Sequence, residues 1–124
     1  MCQTGSTSIQ GPVKGYRVYN NNKQQLSVCN WWTRPELGVA TQADELPFHA
    51  FRELKDVMGF LYVMGLLLSK VHIYECLLDD GVEEGCWGDD ATVCTYTGLV
   101  CTIVKEVTIS DPYTGVDCVH IESN

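Results

Sequence analysis

The run Ala50-Phe51-Arg52-Glu53-Leu54-Lys55-Asp56-Val57-Met58-Gly59-Phe60-Leu61, followed by Val71-His72-Ile73-Tyr74-Glu75-Cys76-Leu77-Leu78, changes its apolar period within a short stretch of chain. In the first part Phe51, Leu54, Met58 and Leu61 recur at three- and four-residue steps while Arg52, Glu53, Lys55 and Asp56 face outward, the pattern of an amphipathic helix. Either Gly59 or Gly65 can end that helix, and Leu66 to Ser69 leads into the next element. The second part is β-branched and aromatic, apolar at nearly every other position, and closes on Asp79-Asp80-Gly81, which reads as a strand and its turn.

Working outward, Gly15-Tyr16-Arg17-Val18-Tyr19 alternates in the manner of a strand, and Asn20-Asn21-Asn22-Lys23 tolerates the positive φ of a tight turn. Leu26 to Trp32 then returns as a second strand of a hairpin. Pro35, Gly38 and Pro47 punctuate a loop from Thr33 to Pro47. Thr92 to Tyr96 and Cys101 to Ile109 read as further strands, the latter with Cys101, Ile103, Val107 and Ile109 on one face. Asp111-Pro112-Tyr113-Thr114-Gly115 is a turn, and Val116 to Ile121 a short edge strand. Strands before and after one main helix predict an α+β domain, a mostly antiparallel sheet with the amphipathic helix packed on one face. Residues 1–12, rich in Gly, Ser, Thr and Gln, read as a flexible lead-in, and residues 13–124 as the single domain.

Composition fits that reading. The 124 residues are 45% hydrophobic and 19% charged, which suits one domain with a core and excludes a disordered chain. Seven cysteines are an odd number with no C-x2-C pair, and the N-terminus lacks a basic then apolar leader, so reduced thiols in the cytoplasm are expected. The apolar run Val57 to Ser69 is too short for the roughly 20 residues of a membrane helix.

The formal net charge is -8, and seven carboxylates stand between Glu75 and Asp90 (Glu75, Asp79, Asp80, Glu83, Glu84, Asp89 and Asp90), with no Lys or Arg from Val71 to Val104. Such clustering repels itself unless a cation or a basic surface compensates, although it also serves as a solvated face that keeps a protein soluble. The eight scattered Lys and Arg do not make a phosphate-binding patch, so direct nucleic-acid binding is not expected. Trp87 lies inside the acidic stretch, and Trp31 and Trp32 stand beside Arg34. Adjacent residues of a strand point to opposite faces, so at least one of Trp31 and Trp32 is expected outside the core, where large aromatics anchor partners.

The strings Lys14-Gly15-Tyr16-Arg17-Val18-Tyr19-Asn20, Pro47-Phe48-His49-Ala50-Phe51 opening a helix, Val71 to Cys76 and Thr102-Ile103-Val104-Lys105-Glu106-Val107 resemble a group of small uncharacterised phage and bacterial proteins. Those proteins share K-G-F/Y-x-x-F/Y, G-F-H-A and I-V-K-E motifs. This chain has Pro47 where the group has Gly and carries a long acidic insertion after Asp79. The resemblance implies no activity. The order of elements is also similar to a trimmed ADP-ribosyltransferase core. That likeness would cast Arg17 or His49, Tyr62 and Glu106 in cofactor-orienting and catalytic roles, but the Ser-Thr-Ser strand of such enzymes is missing.

Three further constellations carry weak signals. His72 and Cys76 with Cys86 or Cys94 have zinc-ligand chemistry at the wrong spacing, and Asp79 to Gly85 has calcium-loop ingredients without the EF-hand pattern. Cys2 is a nucleophile only if processing exposes it.

These readings give two expectations of different class. The first is a non-catalytic, acidic inhibitor, phage encoded and acting in the host cytoplasm, without cofactor or metal. It would occlude a basic nucleic-acid-binding surface of defence machinery, as an anti-CRISPR protein does, through Asp79, Asp80, Glu83, Glu84, Trp87, Asp89, Asp90, Trp31 and Trp32. The second is a small-molecule or nucleotide-signal binder, or an ADP-ribosyltransferase-like enzyme, using Tyr16, Arg17, His49 and Glu106.

Overall fold

A computed structural model of the chain describes residues 4–20, 36–43, 46–87, 93–110 and 120–122. The described residues form nine strands: β1 (Thr4–Ser8), β2 (Val13–Asn20), β3 (Thr41–Gln42), β4 (Phe48–Phe51), β5 (Val71–Asp79), β6 (Glu83–Trp87), β7 (Val93–Gly98), β8 (Val100–Ser110) and β9 (His120–Glu122). The one α-helix among them, α1 (Leu54–Met64), is followed by a 3-10 turn at Leu68–Lys70. All named strand pairs are antiparallel, in the order β1-β6-β7-β4-β2-β5-β8-β3, with β9 added to β8. The architecture is thus α+β, with sheet dominating over the helix.

Antiparallel pairing fixes the direction of every strand in that order, and it makes β1 and β2, β5 and β6, and β7 and β8 run the same way. Each of these pairs is therefore one stretch of chain that passes from a half-sheet β1-β6-β7-β4 to a half-sheet β2-β5-β8-β3 through a bend. The bends fall together. Gly11 approaches Leu78, Asp79 and Val82; Gly98 approaches Leu78 and Asp79; and the Leu99 N–H donates to the Asp80 carbonyl at 2.9 Å. Strands that change sheets at shared corners are the means by which packed sheets cross.

The two faces of the sheet carry separate cores. On one, Phe51, Leu54, Val57, Phe60, Leu61, Ile73 and Val107 bury the apolar stripe of α1, with the Phe51 and Phe60 rings 4.9 Å apart. On the other, Phe48, Ala50, Cys76, Leu78, Val82, Cys101 and Ile103 pack together. Cys101 and Ile103 were expected to share a face with Val107. They do not, because Cys76 opposes Ile103 while Glu75 opposes Lys105, which leaves Val104 as an extra residue that reverses the alternation.

Two expected boundaries move. Phe48-His49-Ala50-Phe51 does not open the helix but forms β4, paired with both β7 and β2 and buried at all four residues. Phe51 therefore reaches the helix-side core from the end of a strand, so the helical period extended one turn too far. Residues 4–8, expected in a flexible lead-in, are the edge strand β1 on β6. The hairpin strand expected at Leu26–Trp32 lies outside the described residues.

The helix starts at a capping box in which Glu53 and Asp56 exchange side-chain to backbone bonds, the Glu53 N–H donating to Asp56 Oδ2 at 3.0 Å. It ends at Gly65, whose φ of 68° is the left-handed conformation that glycine adopts without penalty. Asp56 is buried, and its Oδ1 accepts the Cys94 N–H at 2.9 Å, tying the helix start to β7. Asp56→Ala removes both bonds and should lower stability by about 2 kcal/mol. A urea midpoint that falls at unchanged slope is the expected reading; an unmoved midpoint would mean that water replaces both bonds.

Candidate functional site

At the corner between β5 and β6, Asp79 is the last strand residue, and Asp80 and Gly81 take φ of 59° and 62°. Both aspartates are exposed, and the Asp80 N–H donates to Asp79 Oδ1 at 2.9 Å. The corner thus points two carboxylates outward on a backbone pinned by Leu99. Neither has an ion-pair partner among the described residues.

The rest of the acidic stretch divides. Glu83 to Trp87 is strand β6, not loop, so Glu83, opposite Thr97, and Glu84, opposite Tyr96, point to opposite faces. Glu84 Oε2 lies 3.2 Å from Arg52 Nη1, and Glu75 on β5 stands opposite Lys105 on β8. Two of the seven carboxylates are therefore compensated or faced by cations from elsewhere in the chain. Trp87 ends β6; Asp89, Asp90, Trp31 and Trp32 lie outside the described residues.

Arg52 organises a cluster that the sequence did not single out. Its Nη2 lies 3.3 Å from Glu53 Oε2, its Nη1 meets Glu84, and its N–H donates to the Cys94 carbonyl at 3.0 Å. Cys94 stands directly across from Cys86, and both are half-buried thiols. Burial and then the charge of Asp56 push the Cys94 thiol above its ordinary pKa, with Arg52 acting in the other direction. A composition-level search for cysteines sees neither the pairing nor the arginine.

The residues expected to form a ligand site are not gathered around a shared opening. Arg17 is wholly buried: its Nε–H donates to the Tyr19 hydroxyl at 2.8 Å, and its Nη1 donates to the His49 carbonyl at 3.0 Å. Its guanidinium also lies over the Phe48 ring at 5.1 Å. His49 is equally buried, its ring edge-on to Phe51 at 5.6 Å, and Tyr16 faces the helix side. Glu106 is exposed on β8 with its Oε2 3.0 Å from His72 Nδ1, and Tyr62 is 88% exposed on the helix. The set is thus spread over both cores and the surface, with Arg17 and His49 brought together by the bond to the His49 carbonyl.

Cys76 and Cys101 lie beside Arg17 in the second core. A hydrogen bond between the two thiols, then burial, raises Cys76 well above its ordinary pKa, while the same bond and the Arg17 charge lower Cys101. His72 and Cys76 do not converge with Cys86 or Cys94, and no group of three potential metal ligands occurs among the described residues. An apolar groove of about 630 Å³ lies along the end of α1, lined by Met58, Tyr62, Gly65, Leu66, Leu67 and Leu68 among others. No helix among the described residues is long and apolar enough to cross a membrane.

No protein-family model matches the chain, and no solved structure gives a significant match.

Proposed function

We propose that this chain is a non-catalytic binding protein that presents its acidic corner to a basic, nucleic-acid-binding surface of a host protein and occludes it. The observation that carries the reading is the exposed pair Asp79 and Asp80, held by a pinned backbone and lacking cations among the described residues, in a chain of net charge -8. Like charges held rigidly together are destabilising until an opposite surface meets them, and such complementarity steers encounter and fixes register. Nucleic-acid-binding effectors of host defence, CRISPR complexes among them, carry the basic channels that fit this role. Inhibition would follow from carboxylates standing where phosphates bind.

Asp79→Asn/Asp80→Asn/Glu83→Gln is the direct test. Asn tolerates the positive φ at position 80, so the corner keeps its shape while losing three charges. Captured from host lysate, basic nucleic-acid-binding proteins should be retained by the unmodified chain and released as salt rises. The triple variant should hold the same proteins about tenfold more weakly, as three surface charges, two exposed and Glu83 half-buried, worth about 0.5 kcal/mol each imply. Equal retention by both chains would overturn the proposal.

A further inference from the structure

We propose that Cys86 and Cys94 form a reversible dithiol–disulfide site at the base of the β6–β7 hairpin, oxidised by a low-molecular-weight disulfide. They are directly opposite one another in the antiparallel pair. Cys94 sends its N–H to Asp56 Oδ1 at 2.9 Å, and its carbonyl accepts from the Arg52 N–H at 3.0 Å. A strand residue points both backbone groups to the same side, so Cys94 bonds away from β6 and the Cys86–Cys94 pair is of the non-hydrogen-bonded kind. In such pairs the Cα atoms stand about 4.5 Å apart with side chains at their nearest, within the roughly 4.4–6.8 Å that a disulfide spans.

Access separates this pair from the other one. Among the described cysteines, Cys86 and Cys94 are half-buried and Cys76 and Cys101 are buried, so of these four a small oxidant reaches the first two. The Cys86 thiolate attacks one sulfur of the small disulfide and expels a thiolate, giving a mixed disulfide. Cys94 then gives up its proton, attacks the Cys86 sulfur and expels the second thiolate. Two protein thiols are oxidised and one small disulfide is reduced to two thiols, with the protons carried by the products. Burial and the charge of Asp56 push the Cys94 thiol above its ordinary pKa, which suits Cys94 to the resolving step. This site stands whether or not the binding proposal does.

The test treats the full reduced chain with glutathione disulfide and measures intact mass. Cleavage before Asp89 or Asp90 and after Tyr96 separates Cys86, Cys94 and Cys101 for non-reducing peptide mapping. The expected result is one linked peptide pair joining Cys86 to Cys94, lighter by two hydrogens than its reduced peptides, and full reversal by dithiothreitol. Cys94→Ser should stop at a single glutathione adduct on Cys86. A linkage between any other pair, a lasting adduct on Cys86 in the unmodified chain, or no reaction would overturn the proposal. So would the same reversible two-hydrogen loss in Cys86→Ser/Cys94→Ser.

Discussion

Arg17→Ala is expected to lower the unfolding free energy by about 3–5 kcal/mol, the largest single effect that any side chain outside the apolar core should show. Two losses combine, and one of them has a topological side. The cavity left by a wholly buried arginine lies between Phe48 and Tyr19, where neighbouring strands cannot collapse to fill it. The Tyr19 hydroxyl and the His49 carbonyl each lose a bond from the guanidinium. A buried acceptor without its donor costs about 1–3 kcal/mol.

The loss of the bond to His49 is also topological. β2 and β4 are paired in register only at Tyr16 and Phe51, yet this is where the half-sheet β1-β6-β7-β4 meets the half-sheet β2-β5-β8-β3. The bond from Arg17 Nη1 to the His49 carbonyl adds a cross-link between β2 and β4 beyond that one register pair. Arg17→Met, which keeps most of the volume and drops the bonds, separates packing from cross-linking: it should recover part of the loss and not all of it. Urea unfolding of the three chains reads the difference. A loss under about 1 kcal/mol for the alanine variant would mean that the junction does not depend on this arginine.

Much of the sheet was legible because its strands bury one or both faces. Val71–Asp79 and Val100–Ser110 are rich in β-branched and apolar residues, and Leu54 and Leu61 of the helix stripe are buried with Met58 half-buried against them, although Asp56, expected on the outer face, is buried as well. What stayed hidden depends on partners distant in sequence. Thr4–Ser8 is polar and becomes a strand through edge pairing with β6, and Glu83–Trp87 has no apolar alternation yet is held between β1 and β7. The extra residue at Val104 is a property of register, which no single strand encodes. The acidic stretch was visible as composition, but the pairing of Glu84 with Arg52, 32 residues away in sequence, was not. The Cys86–Cys94 juxtaposition likewise exists only once both strands are in register.

Gly15→Val should cost about 3 kcal/mol, at the same junction and for a different reason. Gly15 is a buried residue of β2 whose φ does not lie in the left-handed range, so its requirement is space rather than conformation. A Cβ there would lie 2.8 Å from the Ala50 Cβ and 3.1 Å from the Phe51 carbonyl oxygen. The first is a side chain with no rotamer to escape into and the second is backbone, so β4 itself must move. Because β4 is also laddered to β7 from Phe48 to Phe51, that movement strains the neighbouring half-sheet. Gly59→Ala provides the opposite sign within the same fold. Among the described residues its Cβ would meet only Val93 Cγ2 at 3.4 Å, an ordinary contact, while alanine is favoured over glycine inside a helix by about 1 kcal/mol. Thermal melts of the two variants should therefore move in opposite directions. A downward shift for both would mean that the helix packs against β7 too tightly for a methyl. An unchanged melt for Gly15→Val would mean that β2 and β4 separate freely, and that the two half-sheets are joined elsewhere.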